Sequence, residues 1–396
     1  MAVIIWIWGG LRATPAITDE AAYLLQAGLF ARGRWSLPTP PDLAAFSQAA
    51  VLLKPVLAPK MPPGHAILLA PGMWLGLPGL VPMIMIGATV ALIALLARRM
   101  HGLGVAVLAI SVWLTLGAQS RWRASYMAET TTTLLWLAAW WCLLRWRDTR
   151  RISWLLTLAA LCGWGAITRP LTMLVFAIPV GIVVCYDVVR LRLWHQFAAA
   201  CAVGIVPLLL LPVQNAAITG NWRQSPLALY TRQYMPWDRM GFGLDSTPPQ
   251  FSQGPEARPT IARFEELHRE HVPSRLPAIL RQRLGIAGSS LFGGWRKFLV
   301  VPALIGLVAL GASGWFALGT GLLLYLGYLV YAHEAHWSIY YAEATPVEAL
   351  VVAVGLQRVL GWAVGERARS GIVSVVAALM IVALGFPDLA RAAHNR

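Results

Sequence analysis

Residues Pro78 to Ala97, PGLVPMIMIGATVALIALLA, form an apolar stretch without a charged side chain, and Arg98-Arg99 follows it directly. A helix needs roughly 20 consecutive apolar residues to cross the hydrocarbon core of a bilayer. This stretch has that length, and paired arginines are typical of the polar end of a span. The sequence therefore predicts a transmembrane helix here, and the same pattern recurs along most of the chain.

The composition of the whole chain indicates a membrane protein. Hydrophobic residues make up 58% of the sequence, charged residues only 12%, and there are 19 tryptophans. A soluble globule could not bury so much apolar surface. The formal charge of +15 would suggest nucleic acid in a soluble protein, but much of the arginine lies in loops that flank spans. We therefore expect membrane lipids, and no nucleic acid, as partners.

The four cysteines, Cys142, Cys162, Cys185 and Cys201, lie in apolar segments and lack the spacing of metal ligands. This pattern favours packing residues over a disulfide framework or a zinc site. The sequence thus predicts no metal ligands and no cofactor, and it leaves the need for a divalent cation open.

The hydrophobic pattern predicts an all-α, polytopic transmembrane protein with about eleven spans. The first segment, Ala2 to Leu11, has only about half the apolar residues that a helix needs, and it lacks the basic start and cleavage site of a signal peptide. It is either a short span or the result of a start codon placed too far downstream. Further spans are predicted at Leu103 to Gly117, Met127 to Leu144, Ile152 to Ile167, Leu171 to Val189, Phe197 to Ala217, Phe298 to Leu310, Trp315 to Tyr331, Val347 to Trp362 and Ile372 to Phe386.

The basic loops set the orientation. If the spans alternate, the loops at 98–99, 145–151, 190–192 and 367–369 share one side, which the positive-inside rule makes cytoplasmic. The chain is then a single transmembrane domain, 1–396, in the inner (cytoplasmic) membrane.

Two long polar segments face outward in this arrangement. The proline-rich segment 13–77 predicts juxtamembrane helices on the outer face. In the second segment, 219–297, Thr260 to His271 predicts a helix that stops at Pro273. Pro277 to Leu284 predicts a basic, amphipathic helix on the lipid surface.

Asp19 and Glu20 form an acidic pair within Ile17-Thr18-Asp19-Glu20-Ala21-Ala22-Tyr23. Adjacent carboxylates at a membrane exit are unexpected in a chain with 17 acidic and 32 basic residues, and we interpret them as a candidate catalytic centre. A second interpretation stays open. A threonine followed by two carboxylates also fits a helix N-terminus, where Thr caps and the acids favour the positive end of the dipole.

The outward segments also hold side chains that a substrate site needs. Arg121 and Arg123 lie in a short outward loop against the positive-inside rule, which favours a binding role. Arg169, at the outer end of two spans, either faces a polar cavity or snorkels to the interface. Arginine forks suit phosphate oxygens, so several near a carboxylate indicate a site for a phosphate leaving group. The candidate substrate-binding residues are Lys60, His65, Arg121, Arg123, Arg169, His336, Tyr340 and Tyr341.

Several short motifs resemble GT-C glycosyltransferases, in the bacterial branch related to protein O-mannosyltransferases and lipid A aminoarabinose transferases. Thr18 to Tyr23, with Phe30 to Arg34 and Pro38-Thr39-Pro40-Pro41, looks like the first outer loop of that branch. The resemblance spans most of the chain. It departs from the family in the short first span and in the lack of a recognisable soluble domain at the C-terminus. Similar motifs are Lys60 to His65, Thr168-Arg169-Pro170, Pro236 to Gly243 and His336 to Ala342.

The resemblance implies a multi-span GT-C enzyme that transfers a sugar from a polyprenyl-phosphate-linked donor to a lipid, glycan or protein acceptor on the extracytoplasmic face. In that family an aspartate of the first outer loop is the general base, which implies this role for Asp19, with Glu20 as its neighbour. Lys60, Arg121, Arg123 and Arg169 are then candidates for the lipid phosphate. A single, inverting displacement needs only one carboxylate base.

Two other function classes remain in view. A lipid-linked sugar flippase or transporter is also polytopic, with charges near its spans. Against it, the sequence shows no internal repeat and no clear acidic residue at mid-span depth. A non-catalytic relative that only binds the lipid-linked sugar is the third possibility. Release of polyprenyl phosphate distinguishes the enzyme, because a flippase moves the donor intact.

Overall fold

The computed structural model of the chain describes residues 10–12, 14–43, 45–116, 125–251, 258–364 and 372–394, and these are mostly helical. The α-helices are α1 Thr18–Phe30, α2 Pro63–Trp74, α3 Leu80–His101, α4 Leu103–Thr115, α5 Glu129–Thr149, α6 Ile152–Ala166, α7 Pro170–Leu191, α8 Trp194–Ile205, α9 Leu210–Thr219, α10 Pro226–Tyr234, α11 Arg258–Glu270, α12 Leu276–Phe292, α13 Val300–Ala309, α14 Gly311–Gly327, α15 Thr345–Val364 and α16 Ile372–His394. The predicted all-α class is confirmed.

Within the described residues, six helical stretches are long and apolar enough to cross a membrane. A seventh candidate is the pair of helical stretches Pro273–Phe292 and Gly294–Ala309, which meet at a bend of 97°. The chain is thus a plausible multi-pass membrane protein with six or seven candidate spans. The six are Leu80–His101, Pro170–Leu191, Trp194–Thr219, Gly311–Val330, Ser338–Ala363 and Ile372–Arg391.

Each predicted span from Pro78 onward overlaps helical residues, and Phe197 to Ala217 covers two helices, α8 and α9. The helices α4 and α6, with 13 and 15 residues, are apolar but short of the length that spans a bilayer alone. The helix α5 has 21 residues but is not among the candidate spans. The predicted first span falls mainly on residues 1–9, which lie outside the described residues.

A small sheet lies between α1 and α2. Its strands are β1 Leu37–Pro38, β2 Val51–Leu52 and β3 Val56–Pro59, in the antiparallel order β1-β3-β2. The sequence did not predict these strands, because two to four residues between prolines give no readable alternation. The sheet is covered by α10, since Leu52 and Ala58 are buried with Leu229 and Tyr230.

Close helix packing holds the apolar core together. At Gly306 in α13, a Cβ would lie 1.9 Å from the carbonyl oxygen of Val351 in α15, so only glycine permits this approach. Small residues at helix interfaces are the usual means of bringing two backbones together in a membrane protein. The helices α4, α13 and α15 consequently form a tightly packed centre.

The helices α5 and α7 both begin at one end of the molecule and finish at the other. At their far ends the buried Asp187 carboxylate forms ion pairs with Arg147 at 3.0 Å and with Arg150 at 2.8 Å. At their near ends Glu129 and Arg169 lie 3.2 Å apart. The basic loops and the candidate site therefore occupy opposite ends of this helix pair.

Candidate functional site

A cavity of about 860 Å³ opens at the end of the molecule where α5 and α7 begin. It brings together four of the predicted site residues: Asp19, Lys60, Arg169 and Tyr340. Other polar and aromatic side chains of its wall are Tyr23, Thr168, Ser225, Thr231, Arg232, Asp238, Arg239, Asp245, Thr247, Gln250, Tyr328 and Tyr331.

A close backbone contact joins two parts of the cavity wall. The N–H of Gly64 donates to the carbonyl of Ile167 at 2.9 Å, and a Cβ at Gly64 would lie 2.4 Å from Thr168 Oγ1. The approach is possible because Gly64 has no side chain. It places the segment that carries Lys60 beside the segment that carries Arg169.

Asp19 lies in the first turn of α1, half-buried in the cavity wall. No hydrogen bond or ion pair from the described residues reaches its carboxylate. Burial raises the pKa of Asp19 above its usual value; the Lys60 ammonium opposes this shift and the Asp238 carboxylate adds to it. The carboxylate is thus open to a ligand and more basic than an exposed aspartate.

Glu20 is buried away from the cavity, although it follows Asp19 directly. Its Oε2 accepts the N–H of Ala16 at 2.5 Å, and its Oε1 accepts the N–H of Tyr126 at 2.8 Å. The helix N-terminus of the second interpretation is present, with Asp19 and Glu20 in the first turn of α1, but the N-cap residue is Ile17 and Thr18 does not cap the helix. Glu20 instead satisfies the backbone in front of α1 and ties this helix to the start of α5. This placement does not bring it to the candidate catalytic position.

Lys60 follows β3 and reaches the cavity over an aromatic ring. Its Nζ lies 4.4 Å from the centroid of the Tyr230 ring, and the Tyr230 hydroxyl accepts the N–H of Ala50 at 3.0 Å. The Lys60 ammonium is therefore held against α10. Its positive charge lowers the pKa of Asp19, against the effect of burial.

His65 is fully buried and does not line the cavity. Its Nδ1 lies 2.7 Å from Thr131 Oγ1 and its Nε2 lies 2.7 Å from the carbonyl oxygen of Tyr126. Since a carbonyl only accepts, Nε2 carries the hydrogen and Nδ1 accepts from Thr131. Burial lowers the pKa of His65 to about 4. The ring is neutral and joins α2 to α5, so the structure does not bring it to the predicted substrate site.

Arg169 lies at the centre of a buried polar cluster beneath the cavity. Its Nη1 lies 3.2 Å from Glu129 Oε1 and 3.1 Å from Glu343 Oε1, and its Nη2 donates to Tyr328 Oη at 2.8 Å. The Thr132 hydroxyl also donates to Glu343. Glu129, in the first turn of α5, is thus part of an ion pair between the starts of two helices. These partners fix the guanidinium in the cavity wall.

The remaining predicted residues divide into three cases. Tyr340 lines the cavity, its ring 5.6 Å from the Arg169 guanidinium. Tyr341 is buried and stacks on Tyr325 with ring centroids 4.0 Å apart, away from the cavity wall. His336 is exposed, 4.0 Å from Glu334, and also outside the wall. Arg121 and Arg123 lie outside the described residues.

The cavity also contains charged residues that the sequence did not place in the site. Asp238 accepts the Tyr331 hydroxyl at 3.2 Å, and Arg239 pairs with Asp245 at 3.0 Å. Arg232 is exposed on the rim. The motif Pro236 to Gly243 was part of the resemblance, but that its residues line the same cavity as Asp19 is visible only in the structure.

Among the described residues, no group of three or more His, Cys, Asp or Glu side chains is placed to hold a metal ion. A scan against protein-family models finds no match, and a search of the curated proteins finds no significant match.

Proposed function

We propose that the chain is a membrane glycosyltransferase of the GT-C type. It moves a sugar from a polyprenyl-phosphate-linked donor to a lipid, glycan or protein acceptor on the extracytoplasmic face of the inner membrane, with Asp19 as general base. The observation that carries the proposal is the cavity that Asp19 lines together with Lys60 and Arg169, with no hydrogen bond or ion pair from the described residues on the Asp19 carboxylate. The resemblance of the motifs around these three residues adds to it.

The chemistry needs a base, a cationic surface and two bound substrates. Asp19 takes the proton of the acceptor hydroxyl as the oxygen attacks the anomeric carbon. The bond between that carbon and the phosphate oxygen breaks, and the phosphate leaves with the electron pair. Lys60, Arg169 and the rim residue Arg232 attract the negative charge that develops on the phosphate. A single displacement inverts the anomeric centre and leaves the donor as polyprenyl phosphate.

The rings of Tyr23, Tyr331 and Tyr340 in the wall suit the apolar faces of a sugar, while Asp238 can accept its hydroxyl hydrogens. Apolar wall residues such as Leu171, Leu227 and Met240 offer a surface to a lipid chain. The volume of about 860 Å³ falls within the range of about 300–1,000 Å³ that is typical of ligand sites.

The proposed topology has about eleven spans. To the seven candidates it adds α4, α5, α6 and the segment 2–11. The short helices would cross as part of a bundle whose neighbours cover their ends. The cavity then faces the extracytoplasmic side and the Asp187 cluster faces the cytoplasm, in keeping with the positive-inside rule.

The proposal is tested with purified protein in lipid nanodiscs, a set of short-chain polyprenyl-phosphate sugars, and membranes from cells lacking the gene as the source of acceptor. We expect release of polyprenyl phosphate from at least one donor, none with Asp19→Asn, and normal release with Asp42→Asn, which alters an exposed acid in the same segment. If the donor crosses a vesicle membrane without being cleaved, the protein is a flippase.

A further inference from the structure

Arg283 is the most deeply buried residue of α12, although its side chain is charged. It is 2% exposed, and none of the apolar side chains of this helix is buried to that extent. No described carboxylate forms an ion pair with it. Burying a guanidinium is costly unless other groups accept its hydrogens. The acceptors of Arg283 therefore indicate what this side chain does.

These acceptors are two backbone carbonyls just after α14. Arg283 Nη1 donates to the carbonyl of Tyr328 at 2.7 Å, and its Nη2 donates to the carbonyl of Tyr331 at 2.9 Å. The helix α14 ends at Gly327, and we call residues 328–331, which follow it, the tyrosine turn. The last carbonyls of a helix have no partner within the helix. One planar guanidinium thus joins the first and the last residue of the tyrosine turn.

The two carbonyls between them are also held by the long polar segment 219–297. The carbonyl of Leu329 lies 2.9 Å from His271 Nε2, which carries the hydrogen because a carbonyl only accepts. The carbonyl of Val330 accepts the N–H of Gly241 at 2.7 Å. Gly241 has a φ of 124°, which a residue with a side chain rarely adopts. Four consecutive carbonyls of the tyrosine turn therefore accept donors from this one segment.

The side chains at the two ends of the tyrosine turn line the cavity. The Tyr328 hydroxyl accepts from Arg169 Nη2 at 2.8 Å, and the Tyr331 hydroxyl lies 3.2 Å from Asp238 Oδ1. The two residues whose carbonyls Arg283 holds are thus the two that contact a cation and a carboxylate of the cavity wall. A displaced turn would move both hydroxyls away from these charged groups.

We propose that Arg283 is a positioning residue of the cavity. It holds both ends of the tyrosine turn and thereby keeps the Tyr328 hydroxyl on Arg169. In the same way it keeps the Tyr331 hydroxyl on Asp238. The binding of a lipid phosphate at this wall rests on the proposed function, whereas the hold on the turn does not.

Lysine is the informative replacement at this position. Arg283→Lys keeps the positive charge, but a single ammonium lacks the fork that reaches both carbonyls. Arg283→Gln is a second variant, because its amide can donate to one carbonyl without a charge. Arg281→Lys is the matched control, since Arg281 is exposed on the same helix.

The hold is tested by ¹⁹F nuclear magnetic resonance of the full-length protein in lipid nanodiscs. One sample carries 3-fluorotyrosine at Tyr331 and another carries it at Tyr186, which is exposed in α7. In Arg283→Lys and Arg283→Gln we expect the Tyr331 signal to shift or split and the Tyr186 signal to stay. Arg281→Lys should move neither signal. An unmoved Tyr331 signal in the folded variants overturns the proposal. If both variants fail to fold, Arg283 serves stability alone, which overturns it as well.

The role toward a substrate has its own readout, with geranyl phosphate as the probe. In Arg283→Lys we expect the Kd of the probe to rise about 2- to 10-fold, which is the effect of one hydrogen bond. In a background with Tyr328→Phe and Tyr331→Phe the two hydroxyls are gone, so Arg283→Lys should add no further rise. Arg281→Lys should leave the Kd unchanged in both backgrounds.

An unchanged Kd in Arg283→Lys, or an equal rise in both backgrounds, overturns the positioning role, because Arg283 would then not act through the two tyrosines. If the parent does not bind geranyl phosphate, the phosphate site of the proposed function fails. The ¹⁹F result still decides the hold on the tyrosine turn in that case.

Discussion

Asp19 and Glu20 are adjacent in the chain, yet their carboxylates lie in different environments. The Asp19 carboxylate is in the cavity wall without a hydrogen bond from the described residues, whereas Glu20 accepts two backbone N–H groups in the interior. Neighbours on a helix are rotated by about 100°, so one turn can present one acid to a ligand and bury the other. Only Asp19 is therefore placed to exchange a proton with a substrate.

Asp19→Asn should fold and bind donor but transfer little sugar. Asparagine keeps the size of the side chain and cannot take a proton. Loss of a general base typically lowers the rate by about 100- to 10,000-fold. The measurement is sugar transfer per folded molecule, beside donor binding, with Asp42→Asn as the control. A normal rate in Asp19→Asn would mean that another group is the base.

Glu20→Gln should act on stability instead. The two N–H groups approach different oxygens of Glu20, and glutamine replaces one of these oxygens by an NH2 group, so either the buried Tyr126 N–H or the exposed Ala16 N–H loses its partner. An unsatisfied buried donor costs about 1–3 kcal/mol. We expect a lower unfolding midpoint with near-normal turnover of the folded fraction. If Glu20→Gln is as inactive as Asp19→Asn while its stability is unchanged, the two roles are reversed.

Arg169→Met should strongly destabilise the protein, because Glu129 and Glu343 would remain buried without a cation. Removing one partner of a buried ion pair costs about 3–5 kcal/mol. Arg263→Met is the control, since its ion pairs with Glu266 and Glu334 lie at the surface, where solvent screens them. Equal unfolding midpoints for the two variants would contradict the role of the cluster.

Arg169→Lys examines the phosphate role separately. Lysine keeps the charge but lacks the planar fork, so it cannot contact both glutamates, Tyr328 and a phosphate at once. We expect weaker donor binding, measured as a smaller shift of the unfolding midpoint on adding donor. If Arg169→Lys binds donor like the parent, Arg169 serves the structure alone.

The long apolar helices could be predicted from the sequence because their signal is local. An apolar stretch of helical length, such as Pro78 to Ala97, carries its own evidence, and α3 appears there as Leu80–His101. The short strands lacked such a signal. Gly64 shows another limit: nothing near it in the sequence reveals that its backbone contacts Ile167.

The site could be predicted only in part, because contacts between residues that are distant in the chain leave no local pattern in the sequence. Asp19, Lys60 and Arg169 could be chosen from their residue types and motifs. The interior position of the Glu20 carboxylate depends on its hydrogen bond from Tyr126, which is 106 positions away in the chain. Asp238 lines the same cavity as Asp19 although the two residues are far apart in the chain. Burial of His65 likewise follows from the packing of α2 on α5 rather than from its flanking prolines.

Cysteine labelling tests the sidedness. Gln48→Cys is exposed in the segment 13–77, and Thr149→Cys is exposed at the far end of α5. In intact cells, with the four natural cysteines replaced, an impermeant thiol reagent should label Gln48→Cys and spare Thr149→Cys. After the membrane is permeabilised both should react. The opposite pattern would place the cavity in the cytoplasm and exclude the proposed donor side.

The raised pKa of Asp19 also predicts how stability depends on pH. In the folded protein this carboxyl holds its proton to a higher pH than the unfolded chain, whose value is near 3.8. Between the two pKa values the folded state therefore binds more protons than the unfolded chain. Its stability consequently falls as the pH rises through this interval. The asparagine in Asp19→Asn cannot ionise, so the variant does not lose stability as the pH rises.

The variant should consequently be more stable than the parent at neutral pH, and the difference should shrink as pH falls toward 3.8. Unfolding midpoints of the two proteins in the same detergent check this expectation. They are measured from about pH 4, near the usual pKa of a carboxyl group, to about pH 8. The exposed control Asp42→Asn should follow the parent throughout. A pH-independent gain would indicate better packing by asparagine, whereas a loss at neutral pH would mean that the ionised Asp19 stabilises the fold. If Asp19 is a partly desolvated catalytic base, we expect its ionised form to lower the stability of the protein in this way.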